Sequence, residues 1–155
     1  MPRHSFIAWI LIKGRLPVNK RLQKFIPDTV LTCDLCNEGE ETQDHLFFDC
    51  KYARAVWEKV TDWVGVKVEA STLQEWTDYI LKYNRQKAYR EVLYGIITAT
   101  IYHLWRVRNE VKFQGRPTGW KATAFQIKEH VQQRVLYIAQ KHHRFQKCID
   151  IVLDQ

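Results

Sequence analysis

Three thiols and one imidazole fall within eighteen residues of this chain, at Cys33, Cys36, His45 and Cys50, in the pattern C-x2-C-x8-H-x4-C. Thiolate and imidazole are the donors zinc prefers, and four of them close a tetrahedral structural site. Two residues between the first pair allow a tight turn that aims both sulfurs at one point, and the eight of NEGEETQD make a polar loop that needs no core of its own. His45 and Cys50 stand at i and i+5, just over one helical turn apart, so a helix has to start or distort there. Iron or an iron–sulfur cluster also fits the spacing, but the imidazole favours zinc. Chance grouping of buried thiols with a stray histidine is the poorer account of four such residues so close together. No H-E-x-x-H arrangement accompanies them and all four positions are filled, which points to structure rather than catalysis. Such binding is worth about 10–16 kcal/mol in small zinc peptides, on the scale of the about 5–15 kcal/mol that holds a whole domain together.

Other reactive side chains carry less. Cys148 lies outside the group and reads as a buried or half-buried thiol without chemistry. The acids of EGEE read as loop solvation rather than a magnesium site, and His142 and His143 as an exposed basic helix end. No nucleotide loop, nucleophile elbow or paired-carboxylate motif stands out, so we expect no enzymatic activity and no small-molecule substrate.

Charge is distributed in blocks around the candidate site. The chain carries +7 overall, but residues 1–32 hold +5, residues 33–50 hold −6 with no Lys or Arg, and residues 83–121 hold +6. An acidic zinc loop repels phosphate, so any RNA or DNA belongs on the flanking basic segments. The candidate contacts are Arg3, Lys13, Arg15, Lys20, Arg21 and Lys24 on one side, and Arg106, Arg108 and Lys112 on the other, with His4 and Arg116 as extensions. Trp9 and Trp120 are the aromatics available for stacking if exposed, although core packing is the expectation for Trp9, Trp57 and Trp105. The acidic loop and the apolar helix at 92–105 offer the alternative of a protein-binding scaffold.

The elements that must position these residues are helical. Phe6, Ile7, Ile10 and Leu11 give RHSFIAWILIKG a helical pattern that Gly14 stops, and VNKRLQKFI makes a short basic helix with Val18, Leu22 and Phe25 on one side, ended by Pro27. Ala53, Val56, Trp57, Val60 and Val64 stripe a helix that Gly65 ends. Ser71 and Gln74 have capping-box spacing for a helix over about 72–83. Residues 85–114 form the longest pattern, apolar on nearly every side through VLYGIITATIYHLW and therefore central to a core. GRPTG breaks it, and a last long helix runs from Trp120 to about Gln140 with Phe125, Ile127, Val131, Val135 and Ile138 in register, followed by a short helical tail. The fold class is mostly α, with a zinc-binding module over 1–65 and a helical extension over 66–155 packed with it as one globular unit.

No apolar run reaches the roughly 18 residues of a membrane span, and no secretory leader opens the chain. A nuclear or cytoplasmic, reducing location is the expectation, which disfavours disulfides.

PRHSFIAWILIKGRLPVNKRLQKF, followed by CDLCNEGEETQDHLFFDCKYARAVW, resembles the reverse-transcriptase zinc-binding domain at the C-terminal end of plant non-LTR, LINE-type, retrotransposon polyproteins. The resemblance covers residues 2–57, with RHSFIAW, GRLP, CxLC, ETxDHLFFxC and Trp57 in order, and IYHLWRVRNEVKFQG is similar to the helix that follows in that family. It implies that Cys33, Cys36, His45 and Cys50 bind zinc in a non-catalytic module that helps a polymerase hold template RNA or target DNA. Met1 stands directly before the family's opening residues, so the expectation is either an excised piece or an element fragment retained by its host.

Overall fold

The computed structural model describes residues 2–68, 70–83 and 86–153. Glycines end two of the long helices as the sequence predicts. Helix α3 (Lys51–Val64) stops at Gly65, whose left-handed φ of 67° lets the Val66 amide reach back to Thr61 O at 3.0 Å. Helix α5 (Lys87–Gln114) stops in the same way at Gly115, with the Arg116 amide on Glu110 O at 3.2 Å. After Pro117, helix α6 runs over Trp120–Lys141. The expected start of α5 at Arg85 lies outside the described residues.

Helix α1 (Pro2–Ile12) precedes a single turn, α2 (Asn19–Leu22), and α4 (Leu73–Tyr83) lies between α3 and α5. A 3-10 segment at His143–Cys148 and α7 (Ile149–Leu153) complete the described chain. No strand occurs among the described residues; an isolated antiparallel bridge joins Thr32 to Glu40.

Helix α5 is central, with α1, α4 and α6 packed on it and α3 packed on α6. Val92, Leu93, Ile96, Ile97, Ile101 and Leu104 are all buried, while Tyr94, Gly95, Thr98, Tyr102 and Trp105 on the same stretch of α5 are half-buried. One hydrophobic core extends from Ala8 in α1 to Val152 in α7. Trp57 joins the zinc-loop side to the rest: its Nε1 donates to Phe47 O at 2.7 Å, and its ring stacks on Trp76 at 4.7 Å.

Several side chains depart from the expected faces. Trp9 is 51% exposed rather than in the core, because α1 buries His4, Ala8 and Leu11 instead. Trp57 is buried, and Trp105 packs half-buried against the core, as expected. Phe25 and Phe125 face solvent; α6 turns Thr123, Ala124 and Ile127 inward. The cap of α4 is shifted by one residue, with Thr72 Oγ1 accepting from the Glu75 amide at 3.2 Å while Glu75 Oε2 accepts from the Ser71 amide at 2.6 Å. Gln74, the expected partner in that cap, bonds Asp78 instead.

Candidate metal centre

The loop that carries the first two cysteines folds back on itself. Besides the Thr32–Glu40 bridge, the Cys33 amide donates to Gly39 O at 3.1 Å and the Asn37 amide to Cys33 O at 2.9 Å. Asn37 and Gly39 turn the tip with left-handed φ values of 55° and 65°. Glycine is favoured at 39 by that backbone, and a Cβ there would also crowd the His45 ring, 3.3 Å from Cε1.

The other two donors come from a distorted helical start. Residues His45–Asp49 form one π turn, closed by the Cys50 amide on His45 O at 2.7 Å. A π turn closes i to i+5, which is the spacing of His45 and Cys50. Thr42 Oγ1 accepts from the His45 amide at 3.0 Å, and buried Leu46, Phe47 and Phe48 anchor the turn in the core.

The four donor atoms lie within 4.8 Å of one another. Cys33 Sγ and Cys50 Sγ are 3.9 Å apart, and Cys36 Sγ and His45 Nε2 are 3.4 Å apart. Zinc with Zn–S near 2.3 Å and Zn–N near 2.0–2.1 Å requires tetrahedral edges of about 3.8 Å for S···S and about 3.5 Å for S···N. The donor set and its edges therefore fit a closed Cys3His zinc site, and all four cysteines of the chain are free thiols. The hydrogen bond to Cys50, then burial, pushes the Cys33 thiol up, while the same bond pulls Cys50 down. Burial raises Cys36.

Behind this loop lies an ionic cluster that the charge pattern conceals. Arg108 of α5 is 1% exposed and Glu41 is 0% exposed, and Arg108 Nη2 donates to Glu41 Oε1 at 2.6 Å. Glu41 also accepts from the amides of Asn19 at 2.9 Å and Asp34 at 3.1 Å. Asn19 Oδ1 accepts from Arg108 Nη2 at 2.9 Å and Lys112 Nζ at 2.6 Å, and its Nδ2 donates to Thr32 O at 3.0 Å. Asp34 completes the cluster 3.3 Å from Arg108 Nε and 3.4 Å from Lys112 Nζ. The Cys/His loop, α2 and α5 are thereby locked together through groups whose polar atoms are satisfied.

These contacts revise the roles expected of the charged residues. Arg108 is an internal counterion and presents nothing to a phosphate. Lys112 is spent on Asn19 and Asp34, and Arg106 pairs with Glu110 and donates to Gln126. Glu41 is a buried clamp rather than loop solvation. Three more of the loop's acids are paired at the surface: Glu40 with Lys20, Glu38 with Lys51, and Asp49 with Arg54. On the N-terminal side Arg3, Lys13, Arg15 and Lys24 are exposed, and Arg21 is half-buried with its Nη1 on Gly14 O at 3.2 Å. Lys20, Arg21 and Lys24 line a shallow groove with Gly14 and Gln43. Neither Asn19 nor Glu41 carried a recognisable signal, because their partner stands far along the chain in another charge block.

Residues 1–57 match the family model described as "zinc-binding in reverse transcriptase". No curated protein and no solved structure matches the chain. No helix among the described residues is long and apolar enough to cross a membrane.

Proposed function

We propose that this chain is a non-catalytic, zinc-stapled module derived from a plant retrotransposon reverse transcriptase and retained by its host, which holds RNA or DNA on its N-terminal face. The family match over residues 1–57 supports the origin, and the Cys3His geometry supports a structural role for the ion. One observation carries the partner: on α1 the exposed rings of Phe6 and Trp9 stack with centroids 6.3 Å apart, and exposed Arg3 and Lys13 share their side of the helix. Aromatic platforms among cations are what a flexible nucleic-acid strand recognises, through base stacking and phosphate contact. Arg15, Lys24 and the groove at Lys20 and Arg21 extend the basic track. A zinc ion held by the four donors would steady the loop that Glu41 ties to Asn19, and so fix Lys20 and Arg21 of α2.

Salt titration of binding to single-stranded RNA and DNA oligonucleotides tests this reading. Affinity should fall steeply between about 50 and 200 mM salt; no binding at the lower concentration removes it. A second reading, an interaction subunit of a nuclear or cytoplasmic complex, is favoured by the exposed apolar stripe of Phe6, Trp9 and Ile12. Salt-insensitive co-purification of a stoichiometric protein that is lost on Trp9→Ala would select it.

A further inference from the structure

Away from the thiols, three histidines from three helices meet. His4 of α1, His103 of α5 and His130 of α6 each offer a ring nitrogen within 4.8 Å of the others. His103 Nε2 and His130 Nδ1 are 2.8 Å apart. The His4 ring stacks on Tyr102 at 4.3 Å and lies 6.0 Å, centroid to centroid, from each of the other two imidazoles. His4 and His103 are buried, and the Nδ1 of each is sealed from solvent with no hydrogen-bond partner. A buried polar atom left unsatisfied costs about 1–3 kcal/mol, and the His103–His130 hydrogen bond leaves His4 Nδ1 without a partner; His103 faces the cluster through Nε2, so its own Nδ1 is not a ligand atom.

We propose that His4, His103 and His130 form a second metal site, a three-imidazole site for a divalent ion of the zinc class, distinct from the Cys3His centre. Tetrahedral zinc with three imidazoles requires N···N edges of about 3.3 Å, between the 2.8 Å of the His103–His130 contact and the 4.8 Å limit of the group. His130 is exposed and supplies the freedom to adjust. The absence of carboxylate from the group disfavours magnesium and calcium, and the absence of thiolate separates its preference from that of the first site. Burial disfavours the charged form of His4 and His103, which suits neutral imidazole ligands, and an ion would displace the one proton that His103 Nε2 and His130 Nδ1 share. The opposing charge is Arg106, whose Nε lies 3.3 Å from Glu110. An ion here would pin α1 to the α5–α6 pair, well separated in sequence from the first site.

Cobalt(II) titration of the full chain separates the two centres. Thiolate-to-cobalt charge transfer in the near ultraviolet reports the Cys3His site, and an all-imidazole site gives ligand-field bands without it. We expect one equivalent beyond the thiol-bound one, lost in His130→Ala with the charge-transfer band unchanged and the circular dichroism retained. Saturation at the thiol-bound equivalent alone, or survival of the extra equivalent in His130→Ala, overturns the proposal. A missing charge-transfer band beside a His130-dependent equivalent would count against the first site only.

Discussion

The guanidinium of Arg108 rests 2.6 Å from the carboxylate of Glu41, across 67 residues of sequence and with both side chains sealed from water. This pair joins the metal loop to the central helix. Removing one partner strands a buried charge, and Arg108→Ala should cost about 3–5 kcal/mol. The double replacement Arg108→Ala with Glu41→Ala should cost less than the sum of the two single replacements. Urea unfolding of the two singles and the double measures the coupling; additive losses would show that the pair does not act as a unit.

Metal removal should act locally first. Chelation takes the constraint from residues 33–50, while α5 and α6 keep a core made of Ile96, Ile101, Leu104, Ile127 and Val131. Hydrogen exchange after chelation should rise first around Cys33–Trp57, ahead of Ile96–Val107. Simultaneous loss of protection in both regions would refute a local staple.

At the tip of the loop, Gly39→Ala should cost about 1–2 kcal/mol for the left-handed backbone alone. Its methyl group would also press on the His45 ring. Zinc affinity, measured by competition with a chromophoric chelator, should fall along with thermal stability, whereas Gly95→Ala, with open space around its Cβ position, should leave affinity unchanged.

Acid should destabilise the fold through its buried imidazoles. In the metal-free protein His4 and His103 titrate near 4 and near 3 when folded, against about 6.5 when unfolded. Between those values the unfolded chain binds more protons, so stability is full above pH 6.5 and falls as the pH drops toward about 4. The limiting slope is about 1.4 kcal/mol per pH unit for each ring. His4→Phe, which preserves the stack on Tyr102, should flatten the profile measured by urea unfolding between pH 7 and pH 5; an unchanged slope would remove His4 from this account.

On the exposed face of α1, Trp9→Ala should weaken oligonucleotide binding by about 1–3 kcal/mol, the worth of one stacked base. Lys13→Gln should weaken it uniformly across sequences and lower the salt slope by about one. Neither change should shift the melting temperature by more than a few degrees, because both positions are exposed.

Much of this architecture was legible in the residues themselves. Gly65, Gly115 and Gly119 bound α3, α5 and α6, because a positive φ or a break after Pro117 is a local requirement that few other residues meet. The five-residue step from His45 to Cys50 likewise announced a distorted helix. What stayed hidden depends on partners remote in sequence. A charge count cannot distinguish Arg108, enclosed by Glu41 and Asn19, from Arg15 at the surface. Helix α1 is apolar nearly all round from Phe6 to Ile12, so its pattern does not choose a face; packing against α5 buries Ala8 and Leu11 and leaves Trp9 outside. The His4–His103–His130 group has no spacing to recognise, since it exists only once α1, α5 and α6 have assembled.

The π turn at His45–Asp49 acts as a ruler, and this sets how the segment tolerates change. Deleting one residue between His45 and Cys50 would leave an ordinary α turn and swing the second ligand by about 100° around the axis, away from the other sulfurs. Exposed Asp44 and Asp49 can be exchanged with the count intact. Length is the trait under constraint there, so a single-codon deletion should do what a surface substitution at either of those aspartates does not.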